Sequence, residues 1–361
     1  MWKLKRELGR VAEQVSAIPL LVFEPIRQIF YDHNFDNKIV VHYGQKNLGR
    51  QVAIFLIYQP AGLIASTYLT IDHLVESGFD PVVVSNCSLS VGDMERLKEK
   101  SSLVIERENF GYDFGGYRDA VWVLRKHKIH CDNILFLNDS VWFPVFDDTQ
   151  MLREMIEADA EYVGTQAFGE TTSSGVFDGF FGSYCFLIKK PLLYSAAFGE
   201  YWDNYRLSSS KEVVLRRGER RFSRKMLAAS NKSVAIYSYD RFVNLITRMC
   251  VEDTRQALED LIVWDEVLHK RKIRLLHEKK IDDHWVADAK NLIILLSKSK
   301  NFIGSSPVIS LTKLGFPMIK KNKEMLYTRA RQTIVESIDS GRISGLNQIV
   351  EYELRQKVSL S

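Results

Sequence analysis

Short apolar runs alternate with stretches of helical period through the first half of the chain. Residues 52–58 (VAIFLIY) form the first run, and Gln59-Pro60-Ala61-Gly62 stops it. A run this short and this rich in apolar and aromatic residues predicts a strand covered on both faces, as in a parallel sheet. Leu63, Ile64, Tyr68, Ile71, Leu74 and Val75 then recur at helical spacing, with Gly78 placed as a C-terminal cap. Residues 81–85 (PVVVS) predict a second strand. Ser90 with Asp93 predicts a capping box that opens a helix carrying Met94 and Leu97. Residues 103–105 predict a third strand. Tyr117, Val121, Leu124 and Lys128 mark a helix whose basic end, Arg125-Lys126-His127, suits the negative pole of its dipole. Residues 134–137 (ILFL) predict a fourth strand. This alternation implies right-handed crossovers and an α/β fold: a doubly wound, mostly parallel sheet flanked by helices.

Further on, the pattern predicts a helix over 151–158 and a strand over 161–165. Residues 169–183 are dominated by Gly, Ser and Thr, which reads as a surface loop or a substrate lid. Residues 184–188 (YCFLI) return to strand. From Pro191 the periodicity is mostly helical, with helices expected over 215–227, 253–269, 285–296, 323–338 and 343–354. The chain thus divides into an N-terminal helical or irregular segment (1–50), an α/β core (51–250) and a helical C-terminal extension (251–361).

Composition narrows the class. Of 361 residues, 46% are hydrophobic and 26% charged, which excludes disorder, collagen and coiled coil for the whole chain. A net charge of +4 gives no argument for nucleic acid as a partner. Cys87, Cys131, Cys185 and Cys250 lack both metal-site spacing and the density of a disulfide scaffold, which fits a reducing cytoplasm. No apolar stretch is long enough to span a bilayer. The opening WKLKRELGRVAEQV predicts a short basic helix, suited either to an anionic membrane surface or to packing on its own domain. The expected location is therefore the cytoplasm, with peripheral attachment to the inner face of the membrane as one form of it.

In doubly wound sheets ligands bind outside the carboxyl ends of the strands. After the third strand comes Glu108-Asn109-Phe110-Gly111-Tyr112-Asp113-Phe114-Gly115-Gly116-Tyr117-Arg118-Asp119. Its glycines allow close backbone approach, and the helix that follows attracts anions at its N-terminus. Asn109, Gly111, Asp113 and Gly115 are candidates to shape a ligand pocket, with Asp113 bonding a ribose or base and Arg118 meeting a phosphate. The competing reading is an Asx-type turn with a helix cap. Neither G-x-G-x-x-G nor G-x-x-x-x-G-K-[ST] occurs in the chain, which removes the main support for dinucleotide and P-loop readings. After the fourth strand comes Asn138-Asp139-Ser140. Asp139 stands where a hard cation bridging a diphosphate, Mg²⁺ or Mn²⁺, would need a ligand.

These two segments, ENFGYDFGGY and ILFLNDSVWFP, together with FFGSYCFLIKKPLL and GFPMIKKNKEML, resemble the rhamnan-synthesis protein F family of bacterial polysaccharide and lipopolysaccharide biosynthesis. The resemblance is firmest over residues 50–230 and weaker to 326. It implies a GT-A-like (Rossmann-like) core, a nucleoside-diphosphate sugar as donor, and a glycan or lipid-linked glycan as acceptor. It also implies donor-side roles for Asn138, Asp139 and Ser140. Typical GT-A enzymes carry Asp-x-Asp at this place, whereas Asn138 and Ser140 flank the single Asp139 here, and metal dependence is open on that account.

An inverting transfer needs a carboxylate to take the acceptor proton. If residues 215–226 are helical, Leu215, Glu219, Phe222 and Met226 share a face, placing Glu219 on an apolar stripe where a general base can be tuned. Glu219 is the first candidate base, with Asp178 and Glu212 in reserve; a solvated first-turn position after Gly218 is the alternative for Glu219. Arg216, Arg217, Arg220, Arg221, Arg224 and Lys225 form a basic surface that suits a diphosphate, an anionic membrane or plain solvation. The expected function is transfer of a sugar, with rhamnose one candidate, to a growing cell-surface polysaccharide. A non-catalytic glycan-binding or assembly subunit and a nucleotidyltransferase are the alternatives.

Overall fold

The computed structural model describes residues 18–171 and 177–360, so the helix expected over 2–15 lies outside the described residues. Twelve strands are described: β1 (Ile39–Tyr43), β2 (Gln51–Ile57), β3 (Asp80–Ser85), β4 (Leu103–Arg107), β5 (Asn133–Asn138), β6 (Val141–Trp142), β7 (Tyr162–Gly164), β8 (Ala167–Thr171), β9 (Phe177–Phe181), β10 (Cys185–Lys189), β11 (Ser233–Ala235) and β12 (Ile319–Lys320). Eight of them form one sheet in the order β1-β4-β3-β2-β5-β10-β7-β11. Its centre, β4-β3-β2-β5, is parallel throughout. β10 runs antiparallel to both β5 and β7, and β1 antiparallel to β4. The α/β class and the mostly parallel sheet therefore hold, and the sheet's four predicted central strands sit where the apolar runs put them.

The reason those runs are continuous is visible in the packing. Ala53, Phe55 and Ile57 enter one core, while Val52, Ile54 and Leu56 enter the other, so a period of two is buried on both faces. The helices Ala65–Glu76, Val91–Lys100 and Tyr112–Lys126 make the crossovers. Ser90 caps the second of these, its Oγ accepting from the Asp93 N–H at 3.1 Å. Gly78 ends the first in the left-handed region at φ +83°.

Several boundaries differ from the pattern. The 1–50 segment contributes β1, whose Ile39 packs inward while Val40 and Tyr43 face out. The Gly-, Ser- and Thr-rich stretch expected as a loop carries a hairpin, β8 paired with β9. The helix expected over 253–269 is two, Val251–Asp260 and Glu266–His277, because Leu261 and Ile262 turn into the core and Asp265 caps a new start. The helix expected over 215–227 is interrupted by a π-turn, Leu215–Arg220, between Lys211–Val214 and Arg221–Ala229.

The C-terminal helices pack on the sheet rather than beside it. β12 pairs antiparallel with β6, and Trp142 and Val145 share a core with Ile334, Val350 and Leu354. Glu353, on the helix Gln348–Ser359, accepts from the Trp142 Nε1–H (2.7 Å), the Ser66 N–H (2.8 Å) and the Ser66 hydroxyl (2.7 Å). The helix Ile18–His33 docks through Glu24, Gln28 and Tyr31 and leaves Phe23, Ile26, Ile29 and Phe30 exposed. Among the described residues no helix is long and apolar enough to cross a membrane.

Candidate active site

Asp113 is the second residue of the helix Tyr112–Lys126, which Gly111 opens in the left-handed region at φ +90°. Its carboxylate accepts from Asn138 Nδ2 at 2.9 Å, which links the turn after β4 to the end of β5. Asn138 Oδ1 in turn accepts from the Ser140 hydroxyl at 2.6 Å. Asp139 reaches the neighbouring strand: its Oδ2 accepts from the Tyr58 N–H and from Gln59 Nε2, each at 2.9 Å. The carboxyl ends of β2, β4 and β5 are thereby tied together, as the position of ligands in such sheets requires. Burial pushes the Asp113 carboxyl up to about 6, with the Asp139 carboxylate adding to the effect. Asp139 is also raised by burial, against the opposing bonds from Tyr58 and Gln59.

Glu219 arrives from the other side. Its Oε1 accepts from the Ser183 N–H (2.9 Å) and hydroxyl (3.0 Å), and the Ser183 carbonyl accepts from the Tyr117 hydroxyl at 3.3 Å. The π-turn is what aims it. A wider turn breaks the expected 4-3-4 face, so Phe222 and Met226 are buried while Leu215 is 43% exposed. Gly218 allows the close approach: a Cβ there would stand 2.5 Å from the Phe114 ring. Gly218→Ala is expected to destabilise the fold by about 1–3 kcal/mol through overpacking, although alanine favours helices. A urea midpoint at or above the parent's would refute this.

Two lysines complete the cluster. Lys320 ends β12 and sets its Nζ 3.4 Å from the centre of the Tyr184 ring; Glu219 and Asp113 do most to compensate its charge. Lys321 lies 5.4 Å from the Trp142 ring centre and 3.4 Å from the Ser66 hydroxyl, with Asp139 and Glu353 as its acidic neighbours. Burial lowers Lys320 to about 7 and Lys321 to about 8. Tyr184 also donates to Gln166, which is bonded to Asn301, and these lead to a cavity of about 800 Å³ lined by Phe168, Phe177, Tyr239, Glu324 and Tyr327.

Other expected site residues lie elsewhere. Arg118 is a correction: it is fully buried, paired with Asp32 and stacked on Trp122 at 3.7 Å, so it holds the helix Ile18–His33 rather than a phosphate. Gly115 is another, because a side chain there would strike the Phe110 carbonyl; the glycine serves packing within the chain. Gly111 packs likewise, with Leu207 2.6 Å from where its Cβ would be. Asn109 accepts from Asn86 at 3.1 Å and so belongs to the support beneath the turn. Asp178 is exposed on β9 and pairs with Arg224 at 3.3 Å, and Glu212 is exposed in the first turn of its helix.

Residues 81–300 match the family model of rhamnan synthesis protein F. The chain belongs to that family. An uncharacterised protein, y4gN, of Sinorhizobium fredii is 28% identical over 356 residues, covering 98% of this chain and 91% of that one. Among solved structures, S. aureus TarS aligns over 80% of this chain and 50% of its own, at 13% identity and a TM-score of 0.29. The glycosyltransferase GlyE of Streptococcus pneumoniae aligns over 52% and 46%, at 12% identity and 0.28. The mannosyltransferase Ktr4p of S. cerevisiae aligns over 45% and 62%, at 10% identity and 0.29. The chain spans about half the length of the first two of these structures.

In this member of the family the sequence pattern left Gln59, Lys320, Lys321 and Glu353 without a role. Gln59 had a signal, since it directly follows an apolar strand at the ligand edge. Lys320 and Lys321 had a weaker one, two charges ending the apolar GFPMI. Glu353 had none, because only the docking of the last helix brings it to Trp142.

A divalent cation held by the protein is poorly served here. Asp139 Oδ2 is taken by two N–H donors, Asn138 Oδ1 by Ser140, and the nearest added charge is the Lys321 ammonium. Among the described residues no three His, Cys, Asp or Glu side chains converge on one point.

Proposed function

We propose that the protein is a glycosyltransferase that moves a sugar from a nucleoside-diphosphate donor to a hydroxyl of a growing cell-surface glycan. The observation that carries this reading is the meeting of Asp113, Asp139 and Glu219 with Lys320 and Lys321 at the carboxyl edge of the sheet. Family membership supports a sugar donor and a glycan acceptor, and rhamnose is the sugar the family's name suggests.

In the reading, the donor lies across the ends of β2 and β5, with Asp113 bonding its sugar or ribose hydroxyls. The acceptor enters from the cavity beside Tyr327, whose aromatic and amide lining suits a carbohydrate. Its hydroxyl oxygen attacks the anomeric carbon as the bond from that carbon to the phosphate oxygen breaks. The electron pair stays on the diphosphate, and Glu219 takes the acceptor proton. Ser183 holds the carboxylate in place for this from its own N–H and hydroxyl.

A thermal-shift screen against dTDP, UDP, GDP, CDP and CMP, followed by product analysis with the matching sugar nucleotide, tests the reading. A ligand at 100 times its dissociation constant adds about 2.7 kcal/mol of stability, a plain rise in melting temperature. The expected product is a nucleoside diphosphate. Pyrophosphate release would identify a nucleotidyltransferase instead, and glycan binding without turnover a non-catalytic assembly subunit.

A further inference from the structure

We infer that Lys320 and Lys321 are the diphosphate clamp of this site, doing with two ammonium groups what a divalent cation does where Asp-x-Asp is present. The inference rests on the transferase reading and names how its leaving group is held. Adjacent residues of a strand point to opposite faces. β12 crosses the Asn138-Asp139-Ser140 turn, with the Lys321 N–H donating to the Ser140 carbonyl at 2.8 Å. The two side chains therefore straddle that turn. Lys320 is on the side of Asp113 and Glu219, and Lys321 on the side of Asp139 and Glu353.

Both lysines are placed at a cost that the chain does not offset by itself. Among the described residues neither ammonium closes an ion pair; Lys320 faces the Tyr184 ring and Lys321 a serine hydroxyl and the Trp142 ring. Burial lowers both below the usual lysine range against the pull of the neighbouring carboxylates, and a dianion laid over the turn would raise them again. An aromatic face beneath each ammonium fixes it without consuming its hydrogen-bond donors. Each thus retains N–H groups for a doubly charged ligand lying over the turn. When the anomeric carbon–oxygen bond breaks, the electron pair left on the diphosphate oxygen falls to these donors. A divalent cation in the same place would sit against two ammonium groups and beside a carboxylate oxygen already bonded twice.

The test is calorimetric titration of the full chain with inorganic pyrophosphate and with dTDP, UDP and GDP, in EDTA and again with Mg²⁺ or Mn²⁺. The expected result is that at least one diphosphate binds in EDTA, and that added metal leaves its affinity unimproved. Lys320→Met and Lys321→Met keep the aliphatic stems over the rings, and each should weaken that binding about tenfold or more, the worth of one charge-assisted hydrogen bond. Lys313→Met, a surface lysine paired with Asp253, serves as control and should bind as the parent does. Circular dichroism and melting temperature confirm that the variants fold. Binding that appears only with metal, or parent-like binding in both site variants, overturns the inference while leaving the transferase reading intact. Failure of every diphosphate to bind in either condition overturns both.

Discussion

Asp119→Ala should destabilise the protein by about 3–5 kcal/mol, the cost of leaving a buried cation without its anion. Asp119 is fully buried, and its Oδ2 accepts from Arg107 Nε at 2.7 Å and from the Tyr31 hydroxyl at 2.6 Å. The same carboxylate lies 3.5 Å from Arg118 Nη1 through its other oxygen. Without it Arg107 would keep only neutral acceptors, Asn86 Oδ1 and the Phe110 carbonyl. An ion pair at the surface is the contrast. Asp132 joins both Arg50, at 2.6 Å, and Lys190 within reach of solvent, and its removal should cost far less than that of Asp119. Urea unfolding of the two variants, compared at unchanged m-value, reads the difference. Equal effects would mean that the buried network is not what holds the edge of the sheet. Because Asn86 also donates to Asn109 and to the Tyr112 carbonyl, loss of Arg107's position should loosen the turn that presents Asp113.

Glu219→Gln should lower kcat about 10²–10⁴-fold, the usual contribution of a positioned general base. The amide keeps an oxygen that can accept from Ser183, so the π-turn and the fold should survive. Donor affinity should change little, since the donor in this reading is held by Asp113 and the lysines. Turnover and nucleotide binding measured on the same preparation separate these effects. A variant as fast as the parent removes Glu219 from the role, and one that loses nucleotide binding moves Glu219 to the donor side.

The sequence made the centre of the sheet legible because a strand buried on both faces must be apolar at every position, as 52–57 and 134–137 are. It hid β1, where only Ile39 is fully buried and the remaining residues alternate poorly. It also hid β8 and β9, whose glycines read as loop but allow two strands to approach, Gly169 lying against the Asp178 backbone. That Asp113, Asn138 and Asp139 come together at the strand ends could be read from position alone. Arg118 misled because charge marks a residue that seeks an anion without saying whether the anion is a ligand or Asp32. The face expected of Glu219 failed because helical periodicity presumes a constant turn, and one π-turn shifts everything before it. Lys320, Lys321 and Glu353 come from far along the chain, and no local pattern carries a contact at that range.

Glu353 meets Ser66 from 287 residues away, and β12 reaches β6 from the same late part of the chain. The pairings of β2 with β3 and β5, and of β3 with β4, use neither contact. In the proposed reading, the two lysines are the part of the site that the chain supplies late. A chain still on the ribosome has made Asp113, Asp139 and Glu219 well before either cation. On that reading it could not yet hold a donor diphosphate.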